Sequence, residues 1–385
     1  MTARTITVVT GTRAEYGLLK PAMEAIRDRE DLSLSLIATG MHLSPEHGYT
    51  VEEITADGFD VDRRVHMQLS GDSGTAMAQS LGVGLTGIAG ALDDLDPDVV
   101  LVLGDRDEAF AGGVAAAHMN IPVAHIHGGD AMRGAIIDDS IRHALTKFAH
   151  LHFPVSERSA ERIEKLGEEP WRITTVGAPG LDAIREERYT DPDTIMDRYD
   201  LEPDEPVVLA VQHPITTEPG AAGQQMRATL DALDAVDAQI VLVYPNSDAG
   251  GQRIVGAIES HDATDGFRTF RSMPRADFLG CMNIADAMVG NSSSGIIEAP
   301  LFKLPVVDVG PRQAGRERAA NTLSVEHDAD AIETAIERCL TDEKVRDRVA
   351  DCENPYDYGG AGELIADRLA GVQLDGELLR KRLTY

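Results

Sequence analysis

The sequence predicts an α/β protein made of two Rossmann-like domains facing across a cleft. Three observations point there. Short runs of β-branched and other apolar residues alternate with helical stretches along the 385-residue chain. The runs are continuously apolar, the mark of strands covered on both faces of a parallel sheet. The alternation breaks once, over residues 180–205, and then begins again.

In the first half the predicted strands are residues 5–10, 32–39, 99–104, 122–127 and 173–176. Helices are predicted over 18–29, 74–94, 108–119, 138–148 and 156–166. A strand–helix–strand order implies a doubly wound parallel sheet. The break, EERYTDPDTIMDRYDLEPDEP, is polar and carries prolines, and reads as a connection with a short helix. The second half repeats the pattern, with strands at 207–212, 240–244, 267–270, 287–290 and 305–309. Its helices are 223–236, 253–260 and 275–282, and helices at 328–340 and 362–379 close the chain. The expected domains are 1–180 and 181–362, with a C-terminal helix in 363–385 packing back on the first domain. There is no internal repeat and no low-complexity tract.

Hydrophobic residues make up 43% and charged residues 26%, a globular balance. No run approaches eighteen apolar residues, and the first strand follows the initial Met too closely for a signal peptide, so no membrane partner and a cytoplasmic location are expected. Cys281, Cys339 and Cys352 are far apart and odd in number, which fits free thiols. The net charge of −30 is spread along the chain, and most of its basic residues are arginine. Such a surface suits high salt, where screening removes self-repulsion. With no basic stripe, nucleic acid is excluded as a partner.

Ligands of open α/β sheets bind outside the C-terminal strand ends, so the residues there carry the chemistry. The first strand ends in Gly11-Thr12-Arg13-Ala14-Glu15-Tyr16-Gly17, a turn opening a helix, where Arg13 can add a phosphate contact. The turn is neither GxGxxG nor a P-loop, so no nicotinamide cofactor or ATP is implied. Two later strands end in Gly104-Asp105-Arg106-Asp107 and His127-Gly128-Gly129-Asp130, and Ile137-Asp138-Asp139-Ser140-Ile141-Arg142-His143 follows. Parallel neighbours would bring Asp105, His127 and the Asp138 segment to one crevice, an acid–base set beside arginines. Gly128 and Gly129 would let a substrate approach closely. Asp138 or Asp139 can also cap a helix with Arg142 one turn on, and the cap is the reading for Asp139. His125 reads as a core histidine, although on a strand it shares a face with His127. That pair lacks an evident third ligand, so no metal is expected.

In the second half, His213-Pro214, Pro245-Asn246-Ser247-Asp248-Ala249-Gly250 and Gly290-Asn291-Ser292-Ser293-Ser294-Gly295 follow strands. The last turn can donate hydrogen bonds to a diphosphate. Glu298, one turn into the helix it opens, can accept from ribose hydroxyls. Arg312 and Arg316 follow the final strand.

With these motifs in order and at matching spacing from Gly11 to about Gly362, the chain resembles the UDP-N-acetylglucosamine 2-epimerase family, in its hydrolysing branch. The resemblance implies a glycosyltransferase-B-like fold, a UDP-linked N-acetyl amino sugar as substrate, no cofactor, and a homodimer. By similarity Arg13, His213, Asn246, Ser292, Ser293 and Glu298 would hold UDP, with Arg106, Asn291 and Arg312 beside them. Asp105, Asp138 and Arg142 would serve the sugar, with His127 and His213 completing the catalytic set. Some members carry glutamate where this chain has His127, so the proton-transfer role falls to His127, Asp130 or Asp138. The implied reaction removes the C2 proton as UDP leaves C1; water then adds to the glycal, giving a free sugar inverted at C2. For UDP-N-acetylglucosamine the product is N-acetylmannosamine. The same chemistry on a UDP-diacetamido-trideoxy sugar or GDP-N-acetylglucosamine, or a non-hydrolysing epimerase, are the alternatives.

Overall fold

The structure, a computed structural model, describes residues 3–45, 48–69, 74–131, 136–246 and 248–385, and only the backbone of Ile136. The chain divides into two compact units. The first comprises Met1–Ala131, Ile137–Asp182 and Tyr356–Tyr385, and the second is chiefly Ala183–Pro355.

The first unit is built on β1 (Arg4–Thr10), β2 (Leu32–Thr39), β3 (Arg63–Val65), β4 (Val99–Leu103), β5 (Val123–Ile126) and β6 (Leu151–Phe153). They form one parallel sheet in the order β3-β2-β1-β4-β5-β6. Helices α1 (Arg13–Arg27), α2 (Val51–Ala56), α3 (Gly74–Leu95), α4 (Asp107–His118), α5 (Ile136–Phe148) and α6 (Glu157–Lys165) connect them. β4 is wholly apolar and β1 nearly so, with Ile6, Val8, Val9 and Val99–Leu103 buried on both faces and the one central hydroxyl of β1, Thr7, bonded to Ser35 Oγ at 2.5 Å. α1 starts at Arg13, five residues before its periodic apolar stripe. Thr12 caps it, accepting the Glu15 N–H at 3.3 Å, and Gly17 and Pro21, both poor helix formers, hide that first stretch from a sequence reading.

α7 (Asp182–Arg185) and α8 (Pro192–Tyr199) fall in the polar connection. The second unit repeats the design with β7 (Val207–Val211), β8 (Gln239–Val243), β9 (Arg268–Phe270), β10 (Ala287–Gly290), β11 (Val306–Val309) and β12 (Thr322–Val325). Their order is β12-β11-β10-β7-β8-β9, again all parallel. Helices α9 (Ala222–Ala235), α10 (Gly251–Glu259), α11 (Arg275–Ile284), α12 (Ser294–Ile297), α13 (Ala329–Thr341) and α14 (Glu343–Ala350) cover it. In each sheet the strand order reverses beside the first strand, between β1 and β4 and between β7 and β10. That is the dinucleotide-fold order.

The chain then returns to the first unit as α15 (Ala361–Gly371) and α16 (Gly376–Leu379), two helices where one was expected. Asp182 caps α15, accepting from the Ala361 and Gly362 N–H groups at 3.1 and 2.8 Å. A Cβ on Gly362 would lie 2.6 Å from the Pro21 carbonyl oxygen, so glycine is what lets α15 seat on α1. The other differences are at the edges. β3, β6 and β12 are three- or four-residue edge strands without a long apolar run. Residues 173–176 run beside β6 but make only the Ile173–His152 bridge. α3 is long and apolar enough to cross a membrane by length and composition. In this fold it packs along α4, burying Ala76, Gly84, Ile88, Ala91 and Leu92.

Buried charge fastens the C-terminal segment. Glu168, 1% exposed, accepts from Lys147 Nζ and Lys381 Nζ at 2.6 Å and faces His152 Nε2 at 3.1 Å. Burial alone would raise the Glu168 pKa, but these donors outweigh it and hold the group down at about 2. Its stabilising contribution is therefore complete above the ordinary value of 4.5 and is lost as pH falls towards 2. Glu168→Gln is expected to cost about 2 kcal/mol in a denaturant titration, because it removes a buried carboxylate that accepts from two lysines, of which Lys381 is only 17% exposed. It should also flatten the acid limb of the stability profile.

Candidate active site

In the first unit the loops after β1, β4 and β5 meet at the C-terminal sheet edge. Arg142 of α5, 1% exposed, bonds to Asp105 after β4 and to Asp139 Oδ1 at 2.5 Å. It also donates to the Asp130 carbonyl at 3.1 Å. A buried guanidinium cannot shed its proton and must be paired; here two carboxylates share it and leave the cluster net negative. Asp105 and Asp139 each keep 23% of the side chain exposed, so both are reachable from solvent. Asp139 thus pairs with Arg142, where a helix cap was expected, because i and i+3 positions share a helix face. Asp138 lies in the first turn of α5 and within electrostatic reach of Asp107. Burial, Glu108 and Asp138 together raise the Asp107 pKa.

His127 does not continue β5. The strand ends at Ile126, and His127 takes a left-handed φ of 65° while its N–H bonds the Phe153 carbonyl at 3.1 Å. The two-residue alternation that would align it with His125 stops there. The two glycines that follow also have tasks inside the fold, where close approach of a substrate was expected. A Cβ on Gly129 would lie 2.2 Å from the Ser159 carbonyl oxygen of α6, and one on Gly128 3.1 Å from His125 Nδ1.

Arg13 occupies the first turn of α1 and pairs with Glu53 at 3.0 Å, an exposed contact of little energetic weight. Arg106 is the residue preceding α4 and lies 3.7 Å from Glu108. Two carboxyls there carry no role in the sequence reading. Glu15 accepts the Gly11 N–H at 2.7 Å, and Glu108 fills the space beside Gly11 and Gly40. Burial, reinforced by Glu108, pushes the Glu15 pKa up to about 8. The Thr12-x-x-Glu15 spacing, a capping box, was the available signal.

In the second unit four of the expected residues converge at the ends of β7, β8, β10 and β11. His213 Nδ1 accepts the Asn246 N–H at 3.1 Å, which leaves the proton of the neutral ring on Nε2. Burial and Arg312 push the His213 pKa down to about 3. Asn291, fully buried, accepts from the His213 N–H at 2.7 Å and donates to the His213 carbonyl at 2.9 Å. Its side chain is spent inside the fold, where substrate binding was expected. Arg312 and Gln313 donate to the Asn291 carbonyl at 3.1 and 2.8 Å. Ser292 and Ser293 precede α12, which spans only Ser294–Ile297, so Glu298 caps that helix at its end. Glu298 is 4% exposed and pairs with Arg275, a partner the sequence reading missed. Asn246 Nδ2 donates to Asp248 Oδ2 at 2.6 Å, and Ser247 of that motif lies outside the described residues. Among the described residues no group of three or more metal-ligating side chains is assembled.

Residues 24–370 match the family model of the UDP-N-acetylglucosamine 2-epimerases. The chain belongs to that family. It is 38% identical over 382 residues, 99% of this chain and all of the other, to the UDP-N,N'-diacetylbacillosamine 2-epimerase (hydrolyzing) of Legionella pneumophila. It is 34% identical to a UDP-N-acetylglucosamine 2-epimerase of Neisseria meningitidis, over 87% of each chain. The crystal structure of a UDP-GlcNAc 2-epimerase from Neisseria meningitidis bound to UDP-GlcNAc superposes with a TM-score of 0.81 at 18% identity, covering 95% of this chain and 99% of that one. The glycosyltransferase-B-like fold of this epimerase family follows.

Glu15 generates a pH dependence opposite to that of Glu168. Its folded pKa of about 8 lies above the ordinary 4.5, so the unfolded chain releases this proton first and stability falls as pH rises between those values. Glu15→Gln, which mimics the protonated acid, is expected to remove that part of the fall when melting is followed from pH 5 to 8.

Proposed function

We propose that this epimerase is hydrolytic, acting on a UDP-linked N-acetyl amino sugar to give UDP and a free sugar inverted at C2. The observation that carries the chemistry is the buried Arg142 shared by Asp105 and Asp139 at the strand ends. A C–H beside the anomeric carbon is a weak acid, so its base must be fixed in place and kept from bulk water. In this reading Asp105 is the group held on the sugar. Asp138, Asp130 and His127 lie on the adjoining segments that supply the second proton transfer. The base takes the C2 proton, the C1–O bond breaks, and UDP leaves as the glycal forms. Water then gives its hydroxyl to C1, and a proton returns to C2 on the opposite face.

The nucleotide is assigned to the second unit. His213, neutral and with its N–H on Nε2, donates to the diphosphate; Arg312 supplies positive charge and Ser292 and Ser293 further donors. Glu298, balanced by Arg275, accepts from ribose, and Asn246 completes the set. Asn291 acts through the His213 backbone it holds. The similarity to the Legionella pneumophila enzyme favours a diacetamido sugar as the substrate. The Neisseria meningitidis relative supports UDP-N-acetylglucosamine as the second reading.

We also assign the enzyme to the cytoplasm, on its buried free cysteines, and read its acidic surface as an adaptation to salt. A homodimer through α3 accounts for that helix's outer face, where Met77 and Val83 are 53% and 41% exposed.

Phosphorus NMR on UDP-N,N'-diacetylbacillosamine, UDP-N-acetylglucosamine and GDP-N-acetylglucosamine, at low and molar salt, tests the reaction. Free UDP with free sugar is expected from a UDP-linked substrate; resonances of both UDP-sugars that persist, whether or not GDP is released from the third, sink it. Asp105→Asn should lose at least about 100-fold in kcat while UDP binding persists. Light scattering tests the dimer: Val83→Asp should halve the mass, and a monomeric wild type removes the proposal.

A further inference from the structure

A fully buried histidine of the first unit is outside the proposed catalytic set, yet it touches the loop that carries Asp105. His125 has no exposed surface. Its Nε2 lies 2.7 Å from the Gly104 carbonyl oxygen. A carbonyl only accepts, so the single N–H of a neutral imidazole must sit on Nε2. The ring is neutral, because burial pushes its pKa down to about 3, with His152, His127 and His143 acting in the same sense against the Gly104 bond. Nδ1 is then a lone pair, buried and without a hydrogen-bond partner among the described residues.

Gly104 is held from both sides. Its N–H donates to the Ile126 carbonyl at 3.0 Å, and its own carbonyl accepts from His125. Its φ of 79° is the left-handed turn by which β4 breaks off and delivers Asp105. The two bonds tie Gly104, through the peptides on either side of it, to consecutive residues of β5. The side chain and the backbone of one strand thus fix the peptide immediately before Asp105. A histidine used only to fill the core would not be oriented on the one carbonyl at the start of the catalytic loop.

We infer that His125 is a positioning residue for the epimerase reaction: through its Nε2–H bond to the Gly104 carbonyl it fixes the turn that aims the Asp105 carboxylate. The inference rests on the functional reading above. It assigns no proton transfer to His125, whose ring stays neutral and whose N–H stays on the backbone throughout.

Two amides separate this role from packing. His125→Gln places an N–H near the Nε2 position, and His125→Asn reaches only as far as Nδ1. His125→Asn is expected to lower kcat about 10- to 100-fold, the scale of an ångström of misplacement, with KM and UDP affinity within about twofold. His125→Gln should restore most of that kcat. Gly128→Ala is an independent arm, since its methyl would sit 3.1 Å from Nδ1 and push the ring without removing a group. It should lower kcat several-fold at unchanged KM. Equal kcat for the two amide variants, or losses in kcat that track KM and Tm, overturns the role. Unchanged kcat in Gly128→Ala overturns it even where His125→Asn does not fold. A wild type that releases no UDP would instead remove the functional reading beneath it.

Discussion

A parallel sheet whose first strand lies at its centre must send its crossovers to opposite faces, and where they part the loops uncover backbone groups that no neighbouring strand can pair. This happens twice here, at β1/β4 and at β7/β10. Buried N–H and C=O groups have to find partners, and at these two places the partners are side chains. Glu15 takes the Gly11 N–H, His125 binds the Gly104 carbonyl, and Asn291 brackets both backbone groups of His213. Arg312 and Gln313 close the series on the Asn291 carbonyl. The polar residues that look most like ligands in the sequence divide into those that brace the switch points and those left facing outward.

Burial then sorts the ionisable groups. Buried groups without an opposite charge become neutral: Glu15 keeps its proton to about pH 8, and His125 and His213 resist protonation to about pH 3, whereas Glu168 stays ionised among its cationic donors. Arg142 has no neutral form within reach, so its desolvation is offset by gathering Asp105 and Asp139 and by its bond to the Asp130 carbonyl. Arg142 is thus a buried positive centre holding two carboxylates, while His125 of the same unit stays neutral.

The central strands and the covering helices were legible because each is a long apolar run or a strong amphipathic period. The edge strands β3, β6 and β12 were not, since three or four residues with one paired side leave no pattern to read. Asp105 and Arg142 were visible as residues, and their joining was foreseen only as convergence on a crevice. The i,i+3 geometry that gives Arg142 to Asp139 depends on where α5 begins, and element boundaries are the least certain part of a sequence reading. Asn291 shows the opposite limit. Its Gly-Asn-Ser-Ser-Ser-Gly setting suits a phosphate turn, but the His213 backbone it holds is 78 residues away in sequence. No local pattern encodes such a contact.

The exit of β5 shows why residue type and position must be separated. A glycine pair beside a histidine invites a reading of substrate approach. Yet Gly129 is required by the Ser159 carbonyl and Gly128 by the His125 ring. His127 adopts a left-handed backbone that costs an L-residue free energy, and the bond of its N–H to Phe153 helps hold it there. A side chain at position 127 is therefore aimed by the turn, whatever the alternation of the strand before it. A different side chain at this place would therefore change the chemistry presented without changing where the backbone presents it. That makes the turn the fixed element and the side chain it carries the adjustable one.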